Sequence, residues 1–514
     1  MQAPATVYDP PKTAGDAIRR LILPLYLPCW FDSVSMGIIG PVLPLFVLSL
    51  GATEALTGIV VSTVAAGRLS FSVPGGQLVG KIGEKRTIQL GLLVYMCSSV
   101  LLALAPNVPS IIMARLLAGA GQQACGVGRQ AFCAAAVATH HRGRVIGLLG
   151  GVSRIGGIAG PLIGGFVAQT WGFRAAFLLQ ASLNLVGVLL IQVFMPTVNA
   201  HDSPRGKASP MKSGGAKAAG GGSGCCDIVL EFWVALLTCG VFAMFLSFLR
   251  SARELIIPLA GARLGLTVSE VSIATAVGYV VDSVVFPFSA IVMDSRGRRW
   301  TGTPASLGMG LGFLVAGLAT GFMGLIAAAA VLGFGNGMSA GLIMTLGADL
   351  APADRRGAFI GVFRMMPELG GVVGPVMLGV LLDQFSFWAG SFTCACMGVV
   401  SASYMVCCVK ETLVKAGARG PYEKISKDEE EASETEEEQV HKHPLPHHDL
   451  ISRGASERLL VVAGRRRRQG CWRAAPESLT PRAGSPSDQV DATHPPHCQI
   501  HINGPLSVVL RGWL

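Results

Sequence analysis

The sequence predicts an all-α membrane protein with twelve transmembrane helices in two pseudo-symmetric six-helix bundles. Three observations carry that reading: an apolar composition poor in charge, basic residues confined to alternate connections, and a repeat at one constant offset. Of the 514 residues, 51% are hydrophobic and 14% charged, and the mean hydropathy is +0.53. Soluble domains carry about 25% charged residues. Water is therefore excluded as the solvent for most of the chain, and a lipid bilayer becomes its partner. The 66 glycines fit this solvent, because small residues let helices approach where no hydrophobic effect drives them together.

A bilayer core of about 30 Å needs about 20 apolar residues in a helix. Twelve stretches qualify, near 22–50, 55–79, 87–105, 109–137, 145–169, 174–195, 229–249, 268–293, 301–322, 324–348, 357–382 and 387–409. Residues 1–21 form a tail whose Arg19 and Arg20 precede a first span too long for a cleavable signal, so that span serves as an uncleaved anchor. The second span leads into Lys81, Lys85 and Arg86, and the fourth into Arg142 and Arg144. The fifth carries GGIAGPLIGG at 156–165, a composition that weakens soluble helices, where Gly costs about 1 kcal/mol and Pro about 3. The sixth closes a bundle over 22–195. A linker over 196–228, with Arg205, Lys207, Lys212 and Lys217, reads as flexible and basic. Spans seven to twelve make a second bundle over 229–410. Basic residues follow its eighth span (Arg296, Arg298, Arg299), its tenth (Arg355, Arg356) and its twelfth (Lys410, Lys415). The remaining connections hold almost none, Arg174 and Arg263 excepted, so both termini and the linker are expected in the cytosol. The tail over 411–514 contains KDEEEASETEEEQ and GRRRRQG and reads as solvated disorder. Thirteen cysteines form no C-x-x-C pair, which gives no disulfide or zinc framework. No metal or cofactor site is expected, nor a nucleic-acid partner, and the chain is expected to act as a monomer. The absence of a G-x-x-x-x-G-K-[ST] loop argues against an ATP-driven pump.

The repeat orders the rest. Gly160-Pro161 returns as Gly374-Pro375, an offset of 374 − 160 = 214. The same shift maps Gly156 to Gly370, Gly83 to Gly297, Gly119 to Gly333, Pro44 to Pro258 and Gly51 to Gly265. Two parallel six-helix halves around a midplane site is a transporter plan. At these residues the chain resembles the major facilitator superfamily over roughly 22–410. GGQLVGKIGEKR at 75–86, with Gly76, Gly83 and Arg86, resembles the family's loop signature between helices 2 and 3. FSAIVMDSRGRR at 288–299, with Asp294, Gly297, Arg298 and Arg299, resembles its second copy. ARLLAGAGQ at 114–122 is similar to the helix-4 motif, with Ala118 in place of a Gln. GGIAGPLIGG matches the helix-5 motif of the drug:proton antiporter branch. The resemblance implies that helices 2 and 11 adjoin, as do helices 5 and 8. It also suggests that Gly156, Gly160 and Gly164, with Gly165 beside them, form a smooth face on which the halves slide, while Pro161 permits a bend. Gly80 stands where the family has Asp, so only the second loop copy keeps a carboxylate, Asp294, able to bind a helix N-terminus or a nearby arginine.

Ionisable residues within spans are expensive and mark functional sites. Arg68 precedes Gly80 at a spacing of 80 − 68 = 12. Asp282 precedes Asp294 at the same spacing, and Arg154 and Glu368 follow Arg142 and Arg356 at it. Each is thus about 18 Å from its cytosolic anchor. The repeat pairs Arg68 with Asp282 and Arg154 with Glu368, reversing the sign each time. With the implied adjacency, Arg68 is expected to meet Glu368, and Arg154 to meet Asp282. Asp32 follows Arg20 at that same spacing and is expected beside Arg115. Arg129 is expected to snorkel to the cytosolic face, and Arg250 to pair with Glu254 at i,i+4 spacing. Burial and a neighbouring arginine pull a carboxylate's proton affinity in opposite directions, which lets substrate and proton compete for one site. Asp32, Arg115 and Glu368 are therefore the expected coupling residues. The sequence points to a non-enzymatic secondary transporter driven by a proton gradient, in antiport of small organic compounds. Facilitated diffusion or proton symport of a metabolite is the alternative, since Arg115 and Arg250 would suit an anion. The host membrane and the substrate are not legible in the chain.

Overall fold

The computed structural model describes residues 19–136, 139–196, 230–352 and 356–412. The expected N-terminal tail up to residue 18, nearly all of the linker and the tail from 413 lie outside the described residues. Among the described residues every regular element is helical. The first half comprises α1 (Arg19–Ser49), α2 (Glu54–Ile82), α3 (Glu84–Leu104), α4 (Val108–Ala136), α5 (Thr139–Trp171) and α6 (Phe173–Phe194). The second comprises α7 (Trp233–Arg263), α8 (Val268–Ser295), α9 (Arg299–Leu318), α10 (Phe322–Leu350), α11 (Arg356–Gln384) and α12 (Phe387–Cys407). Among the described residues, eleven helices are long and apolar enough to cross a membrane. The twelfth, α4, is 29 residues long, but Arg115, Gln122, Gln123, Arg129 and Gln130 lower its hydropathy. It is packed between α2 and α3, where polar side chains find protein rather than lipid. The chain is an integral multi-pass membrane protein.

The offset of the sequence repeat recurs throughout the structure. Within the first half α1 packs on α5 and α6, α4 on α2 and α3, and α3 on α6. Adding six to each number gives the packing of the second half. A wide π-type turn at Ile22–Tyr26 enters α1, and its counterpart at Leu236–Gly240 enters α7. Thr53 caps α2 by accepting a hydrogen bond from the Leu56 N–H, and Thr267 caps α8 by accepting from Glu270. Gly51 and Gly265 turn the chain before these caps at φ +79° and +68°, a backbone region that L side chains rarely enter. On the basic side, Lys85 donates to the Met195 carbonyl at the end of α6, 2.7 Å away. Its counterpart in the repeat, Arg299, donates from Nε to the Val409 carbonyl beyond α12 at 2.7 Å. Cations at helix C-termini satisfy the last carbonyls and complement the helix dipole.

α10 departs from the expected single helix. It breaks at 339–341 into Phe322–Met338 and Leu342–Leu350. Gly341, at φ +78°, begins the second piece, and the Ser289 hydroxyl donates to the freed Met338 carbonyl at 2.6 Å. Backbone groups released by a broken membrane helix need such partners.

The glycine motifs pack differently from the expectation. A Cβ on Gly160 would stand 2.5 Å from the Val34 carbonyl, and Gly156 and Gly164 likewise press on α1. The face that repeats every fourth position is therefore sealed within its own half. Gly370 and Gly374 press on α7 in the same way, against Met244 and Phe248. The neighbouring stripe makes the half-to-half contact: Gly165 meets Ser272 of α8, and Gly379 of α11 meets Gly58 of α2.

Candidate functional site

The two halves meet along α2–α11 and α5–α8, the adjacency the resemblance implied. On the side away from the basic connections they are latched. Glu54 at the start of α2 pairs with Arg263 at the end of α7, 3.3 Å apart. Gln169 of α5 accepts from the Val268 N–H at 3.1 Å, and the Ser269 hydroxyl donates to the Gly165 carbonyl. On the basic side the same helices face open space: a Cβ on Gly76, Gly80, Gly143, Gly147, Gly150, Gly151 or Gly361 would meet nothing within 4 Å. Val73, Val284, Phe288 and Ile291 are exposed there. Arg364 of α11 donating to Gln130 of α4 at 3.3 Å bridges the halves on this side. The molecule is closed on its far side and open on its basic side.

Two ion pairs sit where the closed region meets the open one. Arg68 Nε donates to Glu368 Oε2 at 3.2 Å, and Arg154 Nη1 to Asp282 Oδ1 at 2.7 Å. Both are the expected pairs, and both cross between the halves. Asp282 is the better held: Asn336, on the turn that precedes the break in α10, donates to its other oxygen at 2.9 Å. The Arg154 guanidinium also lies over the Phe286 ring, 4.2 Å from its centroid. The Arg68 and Glu368 side chains remain 28% and 25% exposed, so water from the open side reaches them.

Asp32 does not pair with Arg115. It pairs with Arg129, Nη1 to Oδ2 at 2.9 Å, and Arg129 reaches inward rather than snorkelling outward. The same nitrogen donates to Cys29 Sγ at 3.2 Å, and Cys29 contacts the Ser153 hydroxyl of α5 at 3.2 Å. Arg115 is buried at 6% exposure and has no ion pair among the described residues. Nor do Arg250 and Glu254 pair. Glu254 is exposed, and Arg253 lies over the Tyr279 ring at 5.0 Å.

The basic-side loops also depart from expectation. Asp294 is exposed and binds no helix end among the described residues. Its expected part falls to Glu411, which accepts from the Arg298 and Arg299 backbone N–H groups at 2.8 and 3.1 Å at the start of α9. Asp349 of α10 holds the Arg298 side chain at 2.9 Å and accepts from the Thr412 hydroxyl at 2.8 Å. Glu411 and Thr412 therefore belong to the folded bundle rather than to the tail. In the first copy, Gly76 and Arg86 are exposed and Gly83 turns the chain at φ +83°. Composition gave no sign of Asn336 or Glu411, because a neutral amide and a carboxylate beyond the last span carry no depth signal.

The family model described as the Major Facilitator Superfamily matches residues 27–252 and again 236–463, one match for each half. The chain belongs to this superfamily. This superfamily member is 23% identical over 376 residues to the quinolone resistance protein NorA of Staphylococcus aureus, covering 71% of its own length and 91% of that protein. Among solved structures it resembles the nucleoside transporter NupG, with a TM-score of 0.62, 14% identity, and coverage of 76% of this chain and 100% of the other. It also resembles a D-xylose–proton symporter, with a TM-score of 0.60, 19% identity, and coverage of 76% and 97%. At these identities the structural likeness establishes the fold alone.

Proposed function

We propose that this superfamily member is a proton-coupled antiporter that exports small organic compounds by alternating access, with both termini in the cytosol. The observation that carries the reading is the seam itself: two ion pairs of reversed polarity cross it between a latched far side and an open basic side. Each pair holds the far-side closure and must separate for that side to open. Similarity to a protein named for quinolone resistance supports organic compounds as cargo. Asp32 is the residue proposed to exchange the proton. It is 4% exposed and is held by one arginine, Arg129.

The test is reconstitution of the full chain in liposomes with an imposed pH gradient and a panel of amphipathic compounds. Gradient-driven movement is expected from the wild type and none from Asp32→Asn, with unchanged folding and insertion. Full gradient-driven transport by Asp32→Asn would remove Asp32 from coupling and leave Glu368 as the next acid to test. The second reading, uptake of an anionic metabolite by symport or facilitated diffusion, is favoured by Arg250, half-buried and without an ion-pair partner among the described residues. Gradient-independent movement of an organic anion in the same liposomes would support it.

A further inference from the structure

Between the crossing ion pairs and the far-side latch lie charges that neither structure uses. A pocket there is bordered by Gly40 of α1, Arg253 and Glu254 of α7, Thr275 and Tyr279 of α8, and Leu332 of α10. It has room for about 30 Å³, the space of about two water molecules. The four helices ring it, α1 and α10 each packing on both α7 and α8. Tyr279 stands about one turn from Asp282 toward the latched side. Glu254 is 263 − 254 = 9 residues, about 13 Å, short of Arg263 in the latch. With helices around it and the latch beyond it, the way in is from the basic side, and Glu254 is exposed.

Among the described residues neither Arg253 nor Glu254 enters an ion pair. The Arg253 guanidinium rests over the Tyr279 ring, 5.0 Å from its centroid, so an aromatic face holds it instead of the neighbouring carboxylate. Arg250, one turn nearer the basic side, is likewise without an ion-pair partner. The repeat shows that the fold does not need these charges. Subtracting the offset of 214 from positions 250, 253 and 254 gives Met36, Ile39 and Gly40. Glu254 and its counterpart Gly40 border the same pocket, which therefore lies on the pseudo-two-fold axis. A Cβ on Gly40 would meet nothing within 4 Å, so the acid faces open room. Charges placed within spans are expensive and mark function.

We propose that this pocket receives the headgroup of an amphoteric organic cargo, one carrying an ammonium and an acidic group a few ångströms apart. The ammonium donates to the Glu254 carboxylate, while Arg253 and Arg250 donate to the acidic group. A cargo with only a cation would place it beside two unanswered guanidiniums, and one with only an anion would place it beside Glu254. The apolar remainder of the cargo extends into the open cavity. This inference rests on the reading of the chain as a transporter of small organic compounds, and does not depend on proton coupling.

The test measures binding to the purified full chain, by thermal unfolding as each probe is titrated. The probes are matched triplets on phenyl, indole, naphthyl and biphenyl scaffolds: the free amino acid, its cationic methyl ester and its anionic N-acetyl derivative. In at least one triplet the free amino acid is expected to bind saturably, about tenfold tighter than either partner. Glu254→Gln should remove its advantage over the N-acetyl derivative and leave that derivative's own binding undiminished. Arg253→Gln should remove its advantage over the ester. This reciprocal pattern is not produced by general loss of structure, and Glu254→Gln carries the test should Arg253→Gln fail to fold. The expected preference in a chain that moves nothing along a pH gradient would support this inference and remove the antiport reading. No saturable binding by any free amino acid, or binding by an ester or N-acetyl derivative equal to that of its parent, would overturn the proposal.

Discussion

Arg129 bridges Asp32 and Cys29 through a single nitrogen, Nη1, and so holds the only carboxylate on α1. Removing the guanidinium leaves that carboxylate buried and unpaired, which costs on the order of 3–5 kcal/mol. Arg129→Gln is therefore expected to lower the thermal unfolding midpoint strongly. Adding Asp32→Asn should restore at least half of the loss while leaving gradient-driven transport absent. Equal damage from the single and double variants would show that Arg129 acts through packing alone. Depth arithmetic on the sequence found Arg68, Glu368, Arg154 and Asp282, because each lies 12 residues from a loop position that the repeat or a basic connection marks. It failed at Asp32 for a physical reason. Arg115 and Arg129 are separated by about four turns of one helix, so both present themselves on nearly the same face of α4. An arginine can extend several ångströms up or down from its Cα, and counting along the chain does not reveal which way it turns.

At the scale of the helix, the two glycine stripes of α5 have different tasks. Gly156, Gly160 and Gly164 join α5 to α1 inside one half, whereas Gly165 lets α5 approach α8 of the other. Gly160→Val should damage the half itself, lowering yield and thermal stability. Gly165→Val should leave each half intact and oppose closure of the far side, since the new side chain meets Ser272. Spin-label distances between the far-side ends of α5 and α8, in a background without native cysteines, should lengthen for Gly165→Val. Unchanged distances would mean that this contact does not govern closure. The motif was legible as close packing, but a recurrence at every fourth position does not say which neighbour a face meets. The break in α10 was illegible for a related reason: Gly335, Gly337 and Gly341 suit a packed membrane helix as well as a broken one, and tertiary contacts decide.

At the scale of the molecule, apolar length placed the twelve helices, the constant offset grouped them into two halves, and the family resemblance implied both inter-half contacts. The conformational state was not legible, because one sequence must serve both the open and the closed arrangement. In this structure the Glu54–Arg263 pair ties the far ends of the halves, while the basic side is open. Glu54→Gln should shift the population toward far-side opening, raising labelling of a cysteine introduced beside Arg263 by an impermeant reagent several-fold. Labelling equal to that of the unmutated pair would remove this contact from the gate. Beneath it lie the two crossing pairs, Arg68–Glu368 and Arg154–Asp282, on which the alternating-access account rests. A double-mutant cycle on each pair, read by transport rate and by thermal stability, tests that account most directly. The account expects coupling of about 1 kcal/mol or more for both pairs. It also expects partial recovery of transport when the charges are exchanged, Arg68→Glu with Glu368→Arg. Coupling near zero for both pairs, with no recovery on exchange, would contradict it.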